Sequence, residues 1–123
     1  MNVIKTLIVD DSGDFRTLLR QFLNSQKDID IVGEAKDGHQ AVEKANQLKP
    51  DLILMDIRMP RMNGLKALNQ IKGQEKTKMI VLTAFDVQEY REAAEEAGAC
   101  AFIVKKSMVN DLMPAIQEAF KES

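Results

Sequence analysis

The run Leu52-Ile53-Leu54-Met55 constrains the fold of this 123-residue chain more than any other stretch. Four apolar residues follow Pro50-Asp51 and lead directly into Asp56. A short unbroken apolar run bounded by breakers predicts a strand buried on both faces, which requires helices above and below the sheet. Asp56 then stands where the strand leaves the sheet, the edge at which open α/β sheets bind ligands. A lone aspartate there also fits a turn cap. Its role depends on what the other strands bring to the same edge.

Taken in order, Val3 to Val9 predicts a first strand, interrupted only by Lys5 and Thr6 and ending in Asp10-Asp11. Phe15, Leu18, Leu19, Phe22 and Leu23 recur at helical spacing, with Ser12 placed to cap that helix. Ile29 to about Ala35 predicts an edge strand with imperfect alternation. Asp37-Gly38 turns the chain, and Ala41, Val42, Ala45 and Leu48 mark a second helix stopped by Pro50. Beyond Asp56, Asn63 is placed to cap a third helix that carries Leu65, Leu68 and Ile71 and ends near Gly73. Met79 to Leu82 predicts the fourth strand, ending in Thr83. Asp86 and Glu89 have capping-box spacing ahead of a fourth helix closed by Gly98. Ala99 to Val104 predicts the fifth strand, ending in Lys105-Lys106, and Leu112, Ile116, Ala119 and Phe120 the last helix. Pro114 predicts a late start for that helix, near Asn110 or Asp111, where the missing N–H falls in the first turn.

Five strand–helix repeats with connections of this length imply parallel strands and right-handed crossovers. The expected fold is α/β: a doubly wound five-stranded parallel sheet in the order 2-1-3-4-5, flavodoxin-like, over residues 1–123 as a single domain. In that order the first and third strands flank the topological switch point. The first strand brings Asp10 and Asp11 there, the third Asp56, the fourth Thr83 and the fifth Lys105.

Three carboxylates at one edge repel one another, and a hard divalent cation relieves that repulsion. Mg²⁺ suits such a set, because it takes one or two carboxylates and completes its octahedron with water. A magnesium-bearing edge holds phosphoryl oxygens, and aspartate is a covalent phosphoryl acceptor. Lys105 offers a compact positive charge and Thr83 a hydroxyl donor, both suited to phosphoryl oxygens. The constellation describes a magnesium-dependent aspartyl-phosphate site.

These residues resemble the receiver domains of two-component response regulators, along the whole chain. The motifs that carry the resemblance are Ile8-Val9-Asp10-Asp11, Leu54-Met55-Asp56-Ile57-Arg58-Met59-Pro60 with Asn63-Gly64, Leu82-Thr83-Ala84, and Lys105. The resemblance implies that Asp56 is the phosphoacceptor and that Asp11, Asp56 and the backbone carbonyl of Arg58 bind Mg²⁺, with Asp10 acting through water. It further implies that Thr83 and Lys105 contact the phosphoryl group, and that Phe102 is the aromatic switch position, with a plain core residue of the fifth strand as the alternative. Lys106 stands where many receivers have proline. That departure, together with Asp30-Ile31-Val32-Gly33-Glu34-Ala35, looks like the subfamily of the NarL and FixJ regulators. There the receiver precedes a helix-turn-helix domain, which these residues do not contain, so the expectation is either a natural chain that continues past Ser123 or a single-domain regulator, with the former preferred.

The implied function is a phosphoacceptor switch that receives its phosphoryl group from a sensor histidine kinase and controls a transcriptional output. Catalysis is expected only as self-phosphorylation and autodephosphorylation at Asp56. A homodimer is a possible partner state, and DNA is expected to be reached through a C-terminal domain rather than by this one. The net charge of −2 and pI near 5.4 lack the basic face that nucleic acid needs. With one cysteine, no secretion signal and no apolar run of membrane length, the expected location is the cytoplasm, without membrane contact.

Two other classes fit less well. A flavin or nucleotide enzyme on a similar sheet needs phosphate-cradling glycines after the first strand, and Asp10-Asp11-Ser12-Gly13-Asp14 has one glycine among three acids. An unphosphorylated interaction module usually loses an acid or the lysine, and all are present. Of the remaining reactive residues, Cys100 is expected to be buried packing and His39 a solvated helix residue. The seven methionines are read as core or loop fillers, with flanking a partner surface as the alternative for Met59 and Met62. Arg58 and Phe85 each lie two residues after a site residue, placed to shield an acyl phosphate.

Overall fold

Every predicted apolar run becomes a strand. The computed structural model describes residues 3–57, 64–71 and 76–121. In it β1 (Ile4–Val9), β2 (Ile29–Ala35), β3 (Leu52–Met55), β4 (Lys78–Thr83) and β5 (Ala101–Val104) alternate with five helices. The helices are α1 (Gly13–Asn24), α2 (Gly38–Leu48), α3 (Gly64–Ile71), α4 (Gln88–Glu96) and α5 (Met108–Ala119). The strands pair in parallel in the order β2-β1-β3-β4-β5, as expected.

Successive strand side chains point to opposite faces, so each strand feeds two cores. Ile8, Leu52, Leu54, Ile80 and Leu82 meet Leu19 and Leu23 of α1 and Met108, Leu112 and Ile116 of α5. Leu7, Val9, Ile53, Met55 and Val81 meet Ala41 and Ala45 of α2, Ala67 and Ile71 of α3 and Ala94 of α4. Each large apolar side chain so buried contributes about 1.5–3 kcal/mol relative to exposure. Leu18, expected on the apolar stripe of α1, instead stays exposed.

The imperfect alternation of β2 has a physical cause. Thr6 pairs with Ile31, but Leu7 pairs with Gly33, so Val32 is an extra residue in a bulge. Ile31 and Ala35, four apart, would share a face in a regular strand. The bulge puts Ile31 against the α1–α5 core and Ala35 in the other. It also turns Glu34 toward α1.

The cap of α4 and the starts of β5 and α5 differ from expectation. Asp86 does not cap α4. Val87 takes the cap position without a side-chain bond, and Asp86 Oδ1 accepts from Arg91 Nε at 3.0 Å, so an ion pair has taken the carboxylate. β5 begins at Ala101 rather than Ala99, because Gly98 (φ 98°) and Ala99 still close α4 through N–H bonds to Glu95 and Ala94 carbonyls. The last helix starts at Met108, straight out of a 3-10 turn over Lys105–Ser107, and leaves Pro114 in its interior. Met108 and Leu112 anchor that first turn in the core. Pro114 lies on the exposed side, where water can take the carbonyl bond its ring leaves open. The expected Asn63 cap, the end near Gly73, and Arg58, Met59 and Met62 lie outside the described residues.

Candidate functional site

The sheet ladder runs one residue past β1 and β3, and that extension fixes the backbones of two acids. Asp10 N–H donates to Ala35 carbonyl at 3.0 Å and Asp56 N–H to Val9 carbonyl at 3.1 Å. Asp10 Oδ1 accepts from Ser12 N–H at 2.8 Å, and Ser12 Oγ accepts from Phe15 N–H at 3.1 Å. Ser12 therefore caps α1 as expected, and one chain of bonds links the first acid to that helix.

Asp10, Asp11 and Asp56 each offer a carboxylate oxygen, all within 4.8 Å of one another. Asp10 and Asp56 are 3% and 5% exposed, whereas Asp11 is exposed. Lys105, the first residue after β5, reaches into this edge, with Nζ 2.6 Å from Asp10 Oδ2 and 3.2 Å from Asp56 Oδ2. The first contact is an ion pair rather than an aligned hydrogen bond, since Asp10 Oδ2 is buried without a well-directed donor. Burial pushes the Asp10 pKa above the usual carboxylate range. The Lys105 ammonium and the Ser12 N–H pull against that shift, and Asp56 adds repulsion. Burial also works against the Lys105 ammonium, but Asp10, with Asp56 behind it, more than offsets this and raises its pKa.

The structure thus brings Asp10, Asp11, Asp56 and Lys105 together. Thr83 ends β4 at the same sheet edge, fully buried, its hydroxyl oxygen accepting from Phe85 N–H at 3.4 Å. Phe102 of β5 is half-buried, packed against the core on one side, with the Arg91 guanidinium 4.6 Å from its ring centroid. Phe85 is partly exposed and meets Tyr90 edge-on at 6.5 Å between centroids. The Arg58 carbonyl lies outside the described residues. Cys100 is exposed, contrary to expectation, because the α4 closure holds its N–H on Met79 carbonyl before β5 begins. His39 is exposed as expected.

Three contributors escaped the sequence reading. Phe15 places its ring centroid 4.0 Å from Lys105 Nζ. Arg16 donates through Nη1 to the Asp10 carbonyl and through Nε to Glu34 Oε1 at 3.1 Å. Glu34 also pairs with Arg20, and its carbonyl accepts from Lys44 Nζ. The edge strand therefore does serve the site, by holding the arginine that fixes the Asp10 backbone. No local pattern signals this, because the bulge at Val32 decides which way Glu34 points.

Hard oxygen donors gathered this closely suit a divalent cation such as Mg²⁺, whose ligands lie at about 2.0–2.1 Å. Asp10, Asp11 and Asp56 are the described residues that would hold it. An exposed carboxylate beside two buried ones, an ammonium and a buried hydroxyl stand at this one edge.

A family model described as "Response regulator receiver domain" matches residues 6–117. The transcriptional regulatory protein PdtaR of Mycobacterium tuberculosis is 42% identical over 115 residues, which cover 94% of this chain and 56% of that protein. The chain spans about half the length of several curated relatives it matches. Among solved structures, the response regulator domain of Thermotoga maritima CheB superposes with a TM-score of 0.91 at 36% identity, over 99% of both chains. The receiver domain of the putative response regulator NarL of Mycobacterium tuberculosis has a TM-score of 0.91 at 27% identity, over the full length of both.

Proposed function

We propose, from the premise that this chain belongs to the response regulator receiver domain family, that it is a phosphoacceptor switch whose acceptor is Asp56. One observation carries the reading: three carboxylates and the Lys105 ammonium converge at the sheet edge between β1 and β3, the switch point of the strand order. The donor is a phosphohistidine of a sensor kinase. A carboxylate oxygen of Asp56 forms the new O–P bond as the donor P–N bond breaks, and the departing imidazole takes a proton.

Phosphoryl transfer demands positioning and charge neutralisation more than covalent chemistry. Bound Mg²⁺ supplies positive charge that neutralises the acid edge and the phosphoryl oxygens. Asp11 and Asp56 would hold it directly, with the backbone carbonyl of Arg58, and Asp10 would act through water. Lys105 moves its ammonium from the two carboxylates to a phosphoryl oxygen, and Thr83 turns its hydroxyl to another. The chain itself carries out only its own phosphorylation and dephosphorylation. Relatives named as transcriptional regulators support an output through a DNA-binding domain elsewhere in the full protein. The acidic balance of this domain argues against its touching DNA itself.

Incubation with acetyl phosphate and Mg²⁺ followed by intact-mass analysis tests the assignment. One base-labile phosphoryl group is expected, absent without Mg²⁺ and absent from Asp56→Asn. An adduct that survives in Asp56→Asn removes Asp56 from the role.

A further inference from the structure

We propose that Phe15 is a positioning residue for Lys105, its ring holding the ammonium at the acid edge where a phosphoryl group on Asp56 would meet it. The inference rests on the phosphoacceptor reading and adds to it a residue outside the acid, hydroxyl and lysine set. Lys105 Nζ lies 4.0 Å from the Phe15 ring centroid while also 2.6 Å and 3.2 Å from Asp10 and Asp56. The ammonium is therefore contacted by two carboxylates and one aromatic ring.

An aromatic ring attracts a cation through its quadrupole, and an aliphatic side chain of similar size does not. The apolar anchoring of α1 does not require an aromatic residue at this position, since Leu19 and Leu23 form its buried stripe while Phe15 is only partly buried against the same core. The ring is itself well placed. Phe15 N–H donates to the Ser12 cap, and Ser12 N–H donates to Asp10, so the aromatic residue and the first acid are held by consecutive bonds. A free lysine has a flexible four-carbon stem and a strongly hydrated head, and this one keeps a route to solvent, its side chain being 19% exposed. With the ring present, swinging the head outward forfeits a contact. Phe15 touches neither the reacting oxygen nor the phosphoryl group in this scheme, so its effect falls on how often the ammonium is in place.

Phe15→Leu and Phe15→Tyr separate the cation–ring contact from packing. In the wild type the Lys105 Hε resonances should be shifted upfield by the ring current, a shift lost in Phe15→Leu and kept in Phe15→Tyr. With acetyl phosphate and Mg²⁺, the maximal phosphorylation rate of Phe15→Leu should fall roughly three- to thirtyfold, the range a desolvated cation–π contact can supply. Its half-saturating donor concentration should stay within about twofold, as should both constants of Phe15→Tyr. A wild-type or raised rate in Phe15→Leu, or a Phe15→Tyr as slow as Phe15→Leu, overturns the proposal. Phe15→Met replaces Phe15→Leu if that variant melts early, with the same expectations. A wild type that takes no phosphoryl group brings down the acceptor reading instead, and the ring-current shift still reports separately whether the contact exists.

Discussion

Asp10 shows how one buried charge sets a stability profile. Its carboxyl keeps a proton to higher pH in the folded chain than in the unfolded one. Across the interval between the ordinary carboxylate value and the raised one, the native state binds more protons, and stability falls as pH rises. Asp10→Asn removes that loss. Its melting temperature relative to wild type should climb from about pH 4 upward and then level off, measured without divalent cation. Lys105 has the opposite sign. Its raised pKa contributes stability that is complete below the ordinary lysine value of 10.5 and is lost as pH rises through the folded value. The wild type should therefore weaken in that alkaline interval, and Asp10→Asn, which removes the first partner, should weaken less there. Parallel melting curves for the two proteins at every pH would contradict both halves.

At the scale of elements, the end of β4 is where a site event can become a surface event. Thr83 is fully buried and bonded to Phe85 N–H, in the loop that leads to α4. A phosphoryl group that draws the hydroxyl inward must loosen that bond and move the loop. In the proposed switch, a response of Phe102 would disturb its contact with Arg91, which is itself held by Asp86. Passing from one to ninety-nine per cent of the active state requires roughly 5.5 kcal/mol. One hydrogen bond to a charged group supplies about 1.5–3 kcal/mol, so Lys105 and the repacking of Phe102 must share the coupling. Thr83→Ala should accept phosphate within about tenfold of the wild-type rate, the loss of a single hydrogen bond, yet show little phosphate-induced NMR shift over residues 84–97 and at Phe102. Shifts as large as the wild type's would end the relay role of Thr83. At the other edge, α2 ends on Lys49 at φ 46°, ψ 58°, the left-handed conformation that side chains resist. Lys49→Gly should stabilise the chain by about 0.5–1 kcal/mol, read as a raised denaturation midpoint at unchanged slope.

For the whole molecule, the proposed cation site would set apo stability against ligand response. Charges crowded at the switch point oppose folding, and a cation that binds only the folded chain returns stability by mass action. The gain is about 2.7 kcal/mol at a hundredfold excess over Kd. Adding Mg²⁺ should raise the melting temperature by several degrees and chelation should reverse it. Asp11→Ala should abolish most of that response while leaving apo stability equal or higher, because the exposed acid contributes charge without burial. A wild type whose melting ignores Mg²⁺ would count against the whole edge as a cation site.

The sequence by itself determined the strands, their parallel pairing and the gathering of Asp10, Asp11, Asp56, Thr83 and Lys105 at one edge. Each rests on a local signal: an apolar run ends, a polar residue follows, and the crossover rule places every such end on the same side. Tertiary structure decided what depends on contacts between distant segments or on competition for one group. The bulge at Val32 turned Glu34 toward Arg16, and Arg91 took the Asp86 carboxylate that spacing had assigned to a cap. Core burial of Met108 and Leu112 carried the last helix back past the start that Pro114 suggested. Phe15 and Lys105 are separated by most of the chain, and no pattern in either neighbourhood announces that a ring will meet an ammonium. Periodicity reports which face a side chain occupies, whereas the partner it finds there depends on how the layers close.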